Sequence, residues 1–579
     1  MRLAFGSLCV ALAATGIDAQ TALPPQSVER NPAIPLQGLQ SVALNAAAFA
    51  ARPGDATPFG VDLRGLSIVD SRVNGGKLVA KDATGGINTA SGGPTAQNDA
   101  LRKRLARFLG RPLSFQLLSQ IQTDVTEFYR ANGRSLVSVT VPQQEITGGI
   151  VQINVTAFVL ATTRVAGADA ASAEFLQRNV RLKPGQEVDT DRLLEDVNWL
   201  NQNPFRQVSV QFEPGADRDT TVLTLQVQSG RTWSGYVGTS NSGSEATGLA
   251  RVFAGFNTSP LAWKDQQLSY QFTGAPESIG SGRLWDTGKA KGYLSHAISY
   301  LIPITTASGF RTKLIFGASH ISSYSAGLFP SQAETTVLDA ELAVPLRKTN
   351  GRFSLVPEIY GKLEYDDYDS RLFFFDSPPL KERTKLSQIT LGYRSGISGQ
   401  LSNKSSRGSM DIGLVFGQRD EDDAAATDYA FAKISLKQEV FFNPNASIAV
   451  RVTGQFSADQ LHPLSQLALG VDNTVRGYDV NGASGSAAVA GGIEYRTGAI
   501  NFTVAGQDAT FRPHIFADYG FARGDEGLND SYIQSVGFGG QFQGGDNVVA
   551  TVDVARTFND AGTTPANALG VSFQMTVRF

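Results

Sequence analysis

The chain contains few of the residues that build disulfides, metal centres and catalytic sites. Its 579 residues include one cysteine, Cys9, and four histidines that are widely separated along the sequence. A single cysteine excludes an internal disulfide framework. No serine lies in a nucleophile elbow, and no glycine-rich loop opens a helix after a strand. The sequence therefore predicts no catalytic residue, no metal site and no cofactor.

The chain also lacks a strong net charge and any long apolar run. Charged residues make up 18% of the sequence, and the formal net charge is −3. Nucleic-acid binding is not indicated, because it requires a basic face. No apolar segment reaches the roughly 18–20 residues that a membrane-spanning helix needs. Glycine, by contrast, is abundant, with 60 residues.

The N-terminus has the pattern of a secretory signal peptide. Arg2 supplies the positive end, Leu3–Ala14 a short apolar stretch, and Ile17-Asp18-Ala19 a cleavage site. We expect cleavage after Ala19, which would also remove Cys9. An exported, glycine-rich chain without cysteine or a helical anchor is typical of the bacterial outer membrane.

Residues 20–57 precede the first predicted domain. Their prolines indicate a flexible lead, and the alanine-rich segment Leu39–Ala51 predicts one short helix. The alternative is a disordered linker throughout.

Residues 58–157 predict a small mixed domain with the order strand, two helices, two strands. Its second helix begins near Ser114 and ends at Asn132-Gly133, where glycine permits a left-handed exit. The helix has an apolar stripe at Leu117, Ile121, Val125 and Phe128. Residues 158–230 repeat the same order of elements. We expect two tandem α+β domains, with one irregular α+β domain as the alternative.

The remaining chain, residues 231–579, alternates apolar and polar residues with the period of two that marks β-strands. In one segment Ile359, Leu363 and Tyr365 share a face that is opposite Glu358 and Lys362. A soluble sandwich also alternates, but inward charges are costly in a dry core and cost little in a water-filled lumen. Because open sheet edges cannot face hydrocarbon, the strands must close. The sequence predicts a transmembrane β-barrel.

The chain ends in a strand of the same kind, with an aromatic as its last residue. Polar residues separate its apolar positions, which are Val571, Phe573, Met575, Val577 and Phe579. We interpret the last four of these as a C-terminal membrane-targeting strand.

Two short motifs lie in the predicted barrel. The first is Val475-Arg476-Gly477-Tyr478, which follows Leu469–Thr474 and precedes Asn481-Gly482. The second has the pattern F-x-D-x-G and comprises Phe516, Asp518 and Gly520. Each motif is weak alone, but their order before a terminal phenylalanine is specific.

Together these motifs resemble the outer-membrane transporters of two-partner secretion, the TpsB family of hemolysin and adhesin secretion/activation proteins. The tandem units resemble the family's two polypeptide-transport-associated (POTRA) domains. Further matches are Val141–Ile146, Leu200–Phe205 and the hairpin Asn241–Gly248. The resemblance implies an all-β transmembrane barrel of about 16 antiparallel strands, preceded by two small α+β POTRA domains. It assigns 58–157 and 158–230 to the POTRA domains and 231–579 to the barrel.

By this resemblance, Arg476 lies on a loop folded back into the lumen, and Asp518 on the barrel wall is its partner. We expect a planar guanidinium to hold the carboxylate through two parallel bonds. In a wet lumen such a pair contributes about 0.2–1 kcal/mol, and more where it is locally dry. Gly477 would permit the tight turn, and Tyr478 would pack against the wall. The segment Leu39–Ala51 would correspond to the family's plug helix.

The resemblance also implies the transport function. An unfolded exported partner, generally a large β-helical adhesin or cytolysin, would dock on a periplasmic POTRA sheet edge and leave through the barrel. Candidate docking residues are Leu117, Ile121, Val125 and Phe128, whose alternative role is the domain core. Other implied partners are outer-membrane lipid and, during biogenesis, the barrel-assembly machinery.

Three other functions are possible. A barrel-assembly insertase would share both barrel motifs but usually has more POTRA units, and it is the main alternative. A simple porin would not need residues 58–230. A surface enzyme would need a catalytic domain, and the sequence indicates none.

Overall fold

The computed structural model describes residues 55–70, 85–89, 98–134, 136–217, 219–259, 265–288, 291–326, 329–347, 349, 353–374, 377–422, 425–443, 445–470, 474–480, 482–504, 506–524 and 529–579. The predicted signal peptide and the possible helix at 39–51 lie outside these residues. Within them, no helix is both long and apolar enough to cross a membrane. The chain divides into two compact units, of which one contains residues 35–231 and the other residues 232–579.

The first small domain places two helices against a four-stranded sheet. Its elements are β1 (Gly65–Asp70), β2 (Gly86–Thr89), α1 (Asn98–Leu105), a 3₁₀ turn (Ala106–Phe108), α2 (Phe115–Ala131), β3 (Val137–Thr140) and β4 (Ile150–Ala157). The strand order is β2-β1-β4-β3, with β1 parallel to both neighbours and β3 antiparallel to β4. Helix α2 begins at the cap Ser114, whose hydroxyl accepts a hydrogen bond from the Leu117 amide at 3.1 Å.

The apolar stripe of α2 lies in the core of this domain. Leu117, Ile121, Val125 and Phe128 are 3%, 0%, 0% and 7% exposed and pack with residues of α1, β1 and β4. Side chains buried to this extent cannot receive a partner without opening the domain. This burial favours the alternative that these four residues form the domain core, and their role in docking stays a prediction.

Among the described residues, the second small domain repeats this order without a counterpart of β2, so its sheet has three strands. It contains β5 (Val159–Ala166), α3 (Ala170–Asn179), α4 (Thr190–Leu200), β6 (Arg206–Pro214) and β7 (Thr220–Ser229). The strand order is β5-β7-β6. Asp169 and Asp189 cap the two helices by accepting amide hydrogen bonds from Ser172 and Arg192.

The last three-fifths of the chain forms a closed antiparallel barrel. Its first strands are β8 (Trp233–Ser240), β9 (Arg251–Thr258) and β10 (Gln267–Gly274), followed by the short helix α5 (Pro276–Gly280). The wall continues through β11 (Gly292–Thr305), β12 (Arg311–Ser325), β13 (Ser331–Pro345), β14 (Phe353–Phe374), β15 (Ser377–Leu401), β16 (Lys404–Glu421), β17 (Thr427–Asn443) and β18 (Ala446–Phe456).

A loop with its own small hairpin precedes the last wall strands. It contains a 3₁₀ turn (Pro463–Ser465), β19 (Leu467–Leu469) and β20 (Ala483–Gly485). The wall then resumes with β21 (Ala488–Arg496), β22 (Ile500–Val504), β23 (Gln507–Ala522), β24 (Ser531–Gly544), β25 (Val548–Thr557) and β26 (Leu569–Arg578). Strands β21 and β22 pair with the two halves of β23 and share one position in the wall, which gives sixteen positions.

The barrel closes where β26 pairs with β8 over five residues, from Gln574 opposite Ser240 to Arg578 opposite Tyr236. The Asn241 side chain extends this seam by bonding the Val571 carbonyl at 2.6 Å and the Phe573 amide at 2.7 Å. Phe579 exchanges two backbone hydrogen bonds with Gly235. The last strand therefore leaves no free edge in the sheet.

The barrel wall is apolar outside and charged inside. Ile359, Leu363 and Tyr365 of β14 are exposed on the outer face. The intervening Glu358 points inward, where it pairs with Lys313 and, at 2.9 Å, with Arg394. An exposed apolar belt around a polar interior is the pattern of a barrel that has lipid outside and water inside. The predicted transmembrane barrel is confirmed.

Candidate functional site

The loop between β18 and β21 lies inside the barrel. Leu461 packs in a cluster of inward-facing wall residues that includes Leu386, Val415 and Tyr429. Ser465 accepts a hydrogen bond from Gln388 at 3.1 Å, also on the inner face. Farther along the loop, a second cluster joins the loop hairpin to β21, β23 and β24. The loop is thus attached to two separate parts of the wall.

Arg476 connects this loop to the wall through a buried ion pair with Asp518 of β23. Its Nε donates to Asp518 Oδ2 at 2.8 Å, and its Nη2 donates to Oδ1 at 3.2 Å. The Arg476 backbone amide also donates to Oδ2 at 3.2 Å. Two side-chain bonds in parallel fix both the position and the orientation of the guanidinium.

Arg476 has further partners on the wall. Its Nη1 donates to Glu494 Oε2 of β21 at 2.7 Å and lies 3.6 Å from Asp553 Oδ2 of β25. The guanidinium carbon lies 3.3 Å from the ring centroid of Phe516, two residues before Asp518 on the same face of β23. The guanidinium is therefore held by carboxylates at its edge and by an aromatic ring at its face.

The two principal carboxylates each have a second cation. Arg451 of β18 donates to Asp518 Oδ1 at 2.6 Å, and Arg496 of β21 donates to Glu494 Oε1 at 2.7 Å. His514 lies 2.6 Å from Asp553, on the far side of the cluster. We call the group Arg451, Arg476, Arg496, Glu494, Asp518 and Asp553 the anchor cluster.

The Arg476–Asp518 pair is buried, whereas the sequence-based estimate of its contribution to stability assumed a pair exposed to water in the lumen. The two side chains are 5% and 0% exposed. A desolvated pair gains little net stability over apolar residues of the same volume, but removal of one partner leaves a buried charge and costs about 3–5 kcal/mol. The value for exposed pairs therefore does not apply to this contact.

Small residues make room for these contacts. Gly477 has a φ of +91°, and a Cβ at this position would lie 2.7 Å from the Ala555 Cβ. On the wall, Gly492 lies opposite both Asp518 and Arg451 in the strand register, where a side chain would occupy the space of their ion pair. The loop backbone can thus approach β25, and the charged groups can meet, because Cβ atoms are absent at these two positions.

Val475 and Tyr478 secure the loop on either side of this turn. Val475 is fully buried and packs near Gly520, the last residue of the F-x-D-x-G motif. The Tyr478 hydroxyl donates toward the backbone carbonyls of Gln534 and Asn559, at 2.9 and 3.2 Å. The structure therefore brings all the motif residues Val475–Tyr478, Phe516, Asp518 and Gly520 into one region.

Two family descriptions match parts of the chain. Residues 88–157 match the ShlB-type POTRA domain, and residues 374–542 match the haemolysin secretion/activation proteins ShlB/FhaC/HecB. The second match contains the whole anchor cluster except Asp553. The predicted resemblance to the TpsB transporters of two-partner secretion is therefore confirmed in both regions of the chain.

Similar proteins agree with this assignment. The heme/hemopexin transporter protein HuxB of Haemophilus influenzae is 22% identical over 489 residues, covering 80% of this chain and 81% of HuxB. The outer membrane transporter CdiB of Dickeya dadantii is 20% identical over 66% of each chain. The CdiB structures from Escherichia coli and Acinetobacter baumannii have TM-scores of 0.69 and 0.62, at 17% and 15% identity, and cover 93% of this chain and 94% of theirs.

The protein is a two-partner secretion transporter of the Omp85 superfamily. Its barrel lies in the outer membrane and its POTRA region in the periplasm. The predicted family, fold class, transport function and location are confirmed. The domain boundaries and the roles of individual residues stay predictions.

Sequence reasoning missed several members of the anchor cluster. Glu494, Asp553 and Arg451 lie on three different strands, and nothing in the sequence marks them among the many inward charges of the barrel. His514, to which the sequence assigned no role, is buried beside Asp553. One signal was available, because His514, Phe516 and Asp518 alternate along one strand and therefore share a face.

The remaining predicted residues occupy other parts of the molecule. Val571 and Phe579 are exposed at the two ends of the last strand. Phe573, Met575 and Val577 between them are half-buried, and their membrane-targeting role stays a prediction. Within the described part of the chain, no group of three or more histidine, cysteine or acidic side chains is arranged to hold a metal ion.

Proposed function

We propose that the transporter exports one unfolded partner protein through its barrel lumen and that the anchor cluster controls the loop that occupies this lumen. The observation that carries the proposal is the attachment of loop residue Arg476 to wall residues of three strands. A polypeptide can pass only after the loop shifts. A few short-range contacts, all centred on one guanidinium, can hold the loop and still be exchanged for others.

The partner first binds the periplasmic POTRA domains as an added strand. Since Leu117, Ile121, Val125 and Phe128 are buried, we propose the free edge of β3 as the docking position. Strand β3, which contains the half-buried Val139, lies at one edge of its sheet. An edge strand offers unpaired backbone groups, which give affinity with little demand on sequence.

The direction of transport comes from folding of the partner outside the cell, because the periplasm contains no ATP. A large β-helical adhesin or cytolysin releases folding free energy as each successive coil forms, and it cannot return once folded. The transporter itself performs no catalysis, inserts among outer-membrane lipids and is assembled by the barrel-assembly machinery.

Deletion of residues 58–230 tests the division of labour between the two regions. The transporter is produced together with its exported partner protein, and the partner is measured in the medium. The deletion should abolish secretion while the barrel remains heat-modifiable in the outer membrane. Secretion at the rate of the intact transporter by the truncated protein would refute the proposal.

A further inference from the structure

A cavity of about 740 Å³ lies inside the barrel, directly beside the anchor cluster. Carboxylates at its lining are Glu439, Glu494 and Asp553. Positively charged side chains at its lining are Arg407, Lys437, Arg451, Arg476, Arg496 and Arg512. Asp518 on the wall pairs with two of these cations, Arg451 and Arg476. When Asp518 is counted with the lining carboxylates, the cations still outnumber the carboxylates by two.

The excess charge belongs to two identifiable residues. Arg407 and Arg496 both pair with Glu439, at 3.0 and 3.1 Å. Arg512 donates only to neutral oxygens, the Thr497 carbonyl at 3.0 Å and the Ser447 hydroxyl at 3.3 Å. Within the described residues, neither Arg512 nor Lys437 forms an ion pair with a carboxylate.

A second observation indicates that the cavity is short of acceptors. The Nε of Arg451 is buried and has no protein hydrogen-bond partner among the described residues. Buried donors are normally satisfied, so this group is available to an external acceptor. A cleft with low-dielectric walls and excess charge of one sign concentrates ions of the opposite sign, and rings of Arg and Lys line anion-selective pores.

The cavity lies toward the periplasmic end of the barrel. Its residue Arg407 is close to the two-residue turn Ser402-Asn403, and Arg512 is close to the start of β23 at Gln507. Because the barrel strands alternate in direction from β8, the first barrel strand after the POTRA region, the Ser402-Asn403 turn and the start of β23 lie at the end of the barrel where β8 begins. A polypeptide that comes from the periplasm therefore meets this cavity close to Arg476.

We propose that the cavity is a carboxylate-binding site that takes aspartate and glutamate side chains of the partner polypeptide as it enters the barrel. Carboxylates that pair separately with Lys437 and with Arg512 add negative charge to the cavity that Arg476 lines, where they compete with Glu494 for the Arg476 guanidinium. Arrival of the partner thus weakens the contact that keeps the loop in place. The identity of the polypeptide rests on the proposed function, whereas the anion site itself does not.

Calorimetric titration of the purified full-length transporter in detergent with deca-glutamate and deca-lysine tests the site without any secretion step. We expect binding of deca-glutamate only, weakening with salt as charges separated by more than about 8–10 Å become screened. The double variant Lys437→Gln/Arg512→Gln should lose about tenfold in affinity, as expected for two ion pairs in a wet cavity. The charge-preserving pair Lys437→Arg/Arg512→Lys should retain most of the binding.

The matched control is Lys381→Gln, which removes a cation near the opposite end of the barrel, and heat-modifiability shows that each variant is folded. Absence of deca-glutamate binding to the unmodified transporter would overturn the proposal. So would equal binding by the double variant and by the Lys381→Gln control. A transporter that binds deca-glutamate here but fails to secrete would leave the site intact and refute the proposed function instead.

Discussion

Replacement of Arg476 by alanine should release the lumen loop without unfolding the barrel. The substitution removes both hydrogen bonds to Asp518 and the bond to Glu494. Each carboxylate keeps one cation, Arg451 or Arg496, so the cost falls at the low end of the roughly 3–5 kcal/mol for breaking a buried pair. A loss of about 3 kcal/mol raises the population of the released loop roughly 100-fold, since about 1.4 kcal/mol corresponds to a factor of ten.

Thiol labelling measures this population directly. Ala483 is buried in the loop hairpin beside Val475 and Tyr478, and the only native cysteine, Cys9, lies in the predicted signal peptide. In an Ala483→Cys background, a membrane-impermeant maleimide should react about 100-fold faster when Arg476 is alanine. Secretion should fall, because the loop no longer returns to its place, while heat-modifiability of the barrel is unchanged.

Two variants control for charge and for loss of any arginine. Arg476→Lys retains the charge but cannot form the two parallel bonds, so it should give an intermediate labelling rate. Arg556→Ala removes an exposed arginine that bonds only Asn567 among the described residues and should label at the parent rate. If Arg476→Ala labels within twofold of the parent, the anchor does not hold the loop and the reasoning is refuted.

Three further substitutions test the surroundings of the anchor. Asp518→Asn removes the carboxylate that pairs with the buried Arg476 and the half-buried Arg451, and should increase labelling at least as much as Arg476→Ala. An unchanged rate would contradict the assigned pairing. Gly477→Ala places a side chain at a left-handed φ and against Ala555. It should increase labelling more than Gly506→Ala, because Gly506 also has a positive φ but a Cβ there would meet no other atom. Equal effects of the two substitutions would show that the close approach of Gly477 to β25 does not matter. Tyr478→Phe removes the hydroxyl hydrogen bonds to the backbone of β24 and of the segment after β25. The loop should be destabilised by about 1–2 kcal/mol, which is measured as faster labelling. A labelling rate equal to that of the parent would show that these hydrogen bonds do not stabilise the loop.

The sequence predicted the elements that depend on local pattern. Alternation marked the barrel strands because a wall with lipid on one side and water on the other imposes a period of two. Ser114 and Gly133 marked the ends of α2 because a cap hydroxyl and a left-handed glycine act within one turn of the helix.

Strand length was not predictable from alternation. Strand β15 runs for 25 residues, from Ser377 to Leu401, whereas about 9–11 residues cross the membrane. The strand therefore extends well beyond the hydrocarbon core. The alternation that marks membrane-spanning strands continues wherever a ribbon has one wet and one packed face, so the pattern alone does not show where the membrane ends.

Contacts between strands were equally hidden. The Arg476–Asp518 contact was expected only through the family resemblance, and Glu494 and Asp553 were not expected at all. Their meeting depends on the register of β21, β23 and β25, which no single strand encodes. The apolar stripe that includes Leu117 and Ile121 was visible in the sequence, but its role was not. The same helical spacing is expected for residues of a domain core and for residues that line a docking groove.

Locking the loop to the wall tests most directly whether the partner passes through the lumen. A Cβ built on Gly520 lies 2.9 Å from the Val475 Cγ2, which stands where a cysteine sulfur would be, so Val475→Cys/Gly520→Cys places the two groups close enough for a disulfide. The oxidised double variant should secrete no partner, a reductant should restore secretion, and each single variant should be indifferent to reductant. An oxidised transporter that secretes at the reduced rate would contradict passage through a lumen from which the loop must withdraw.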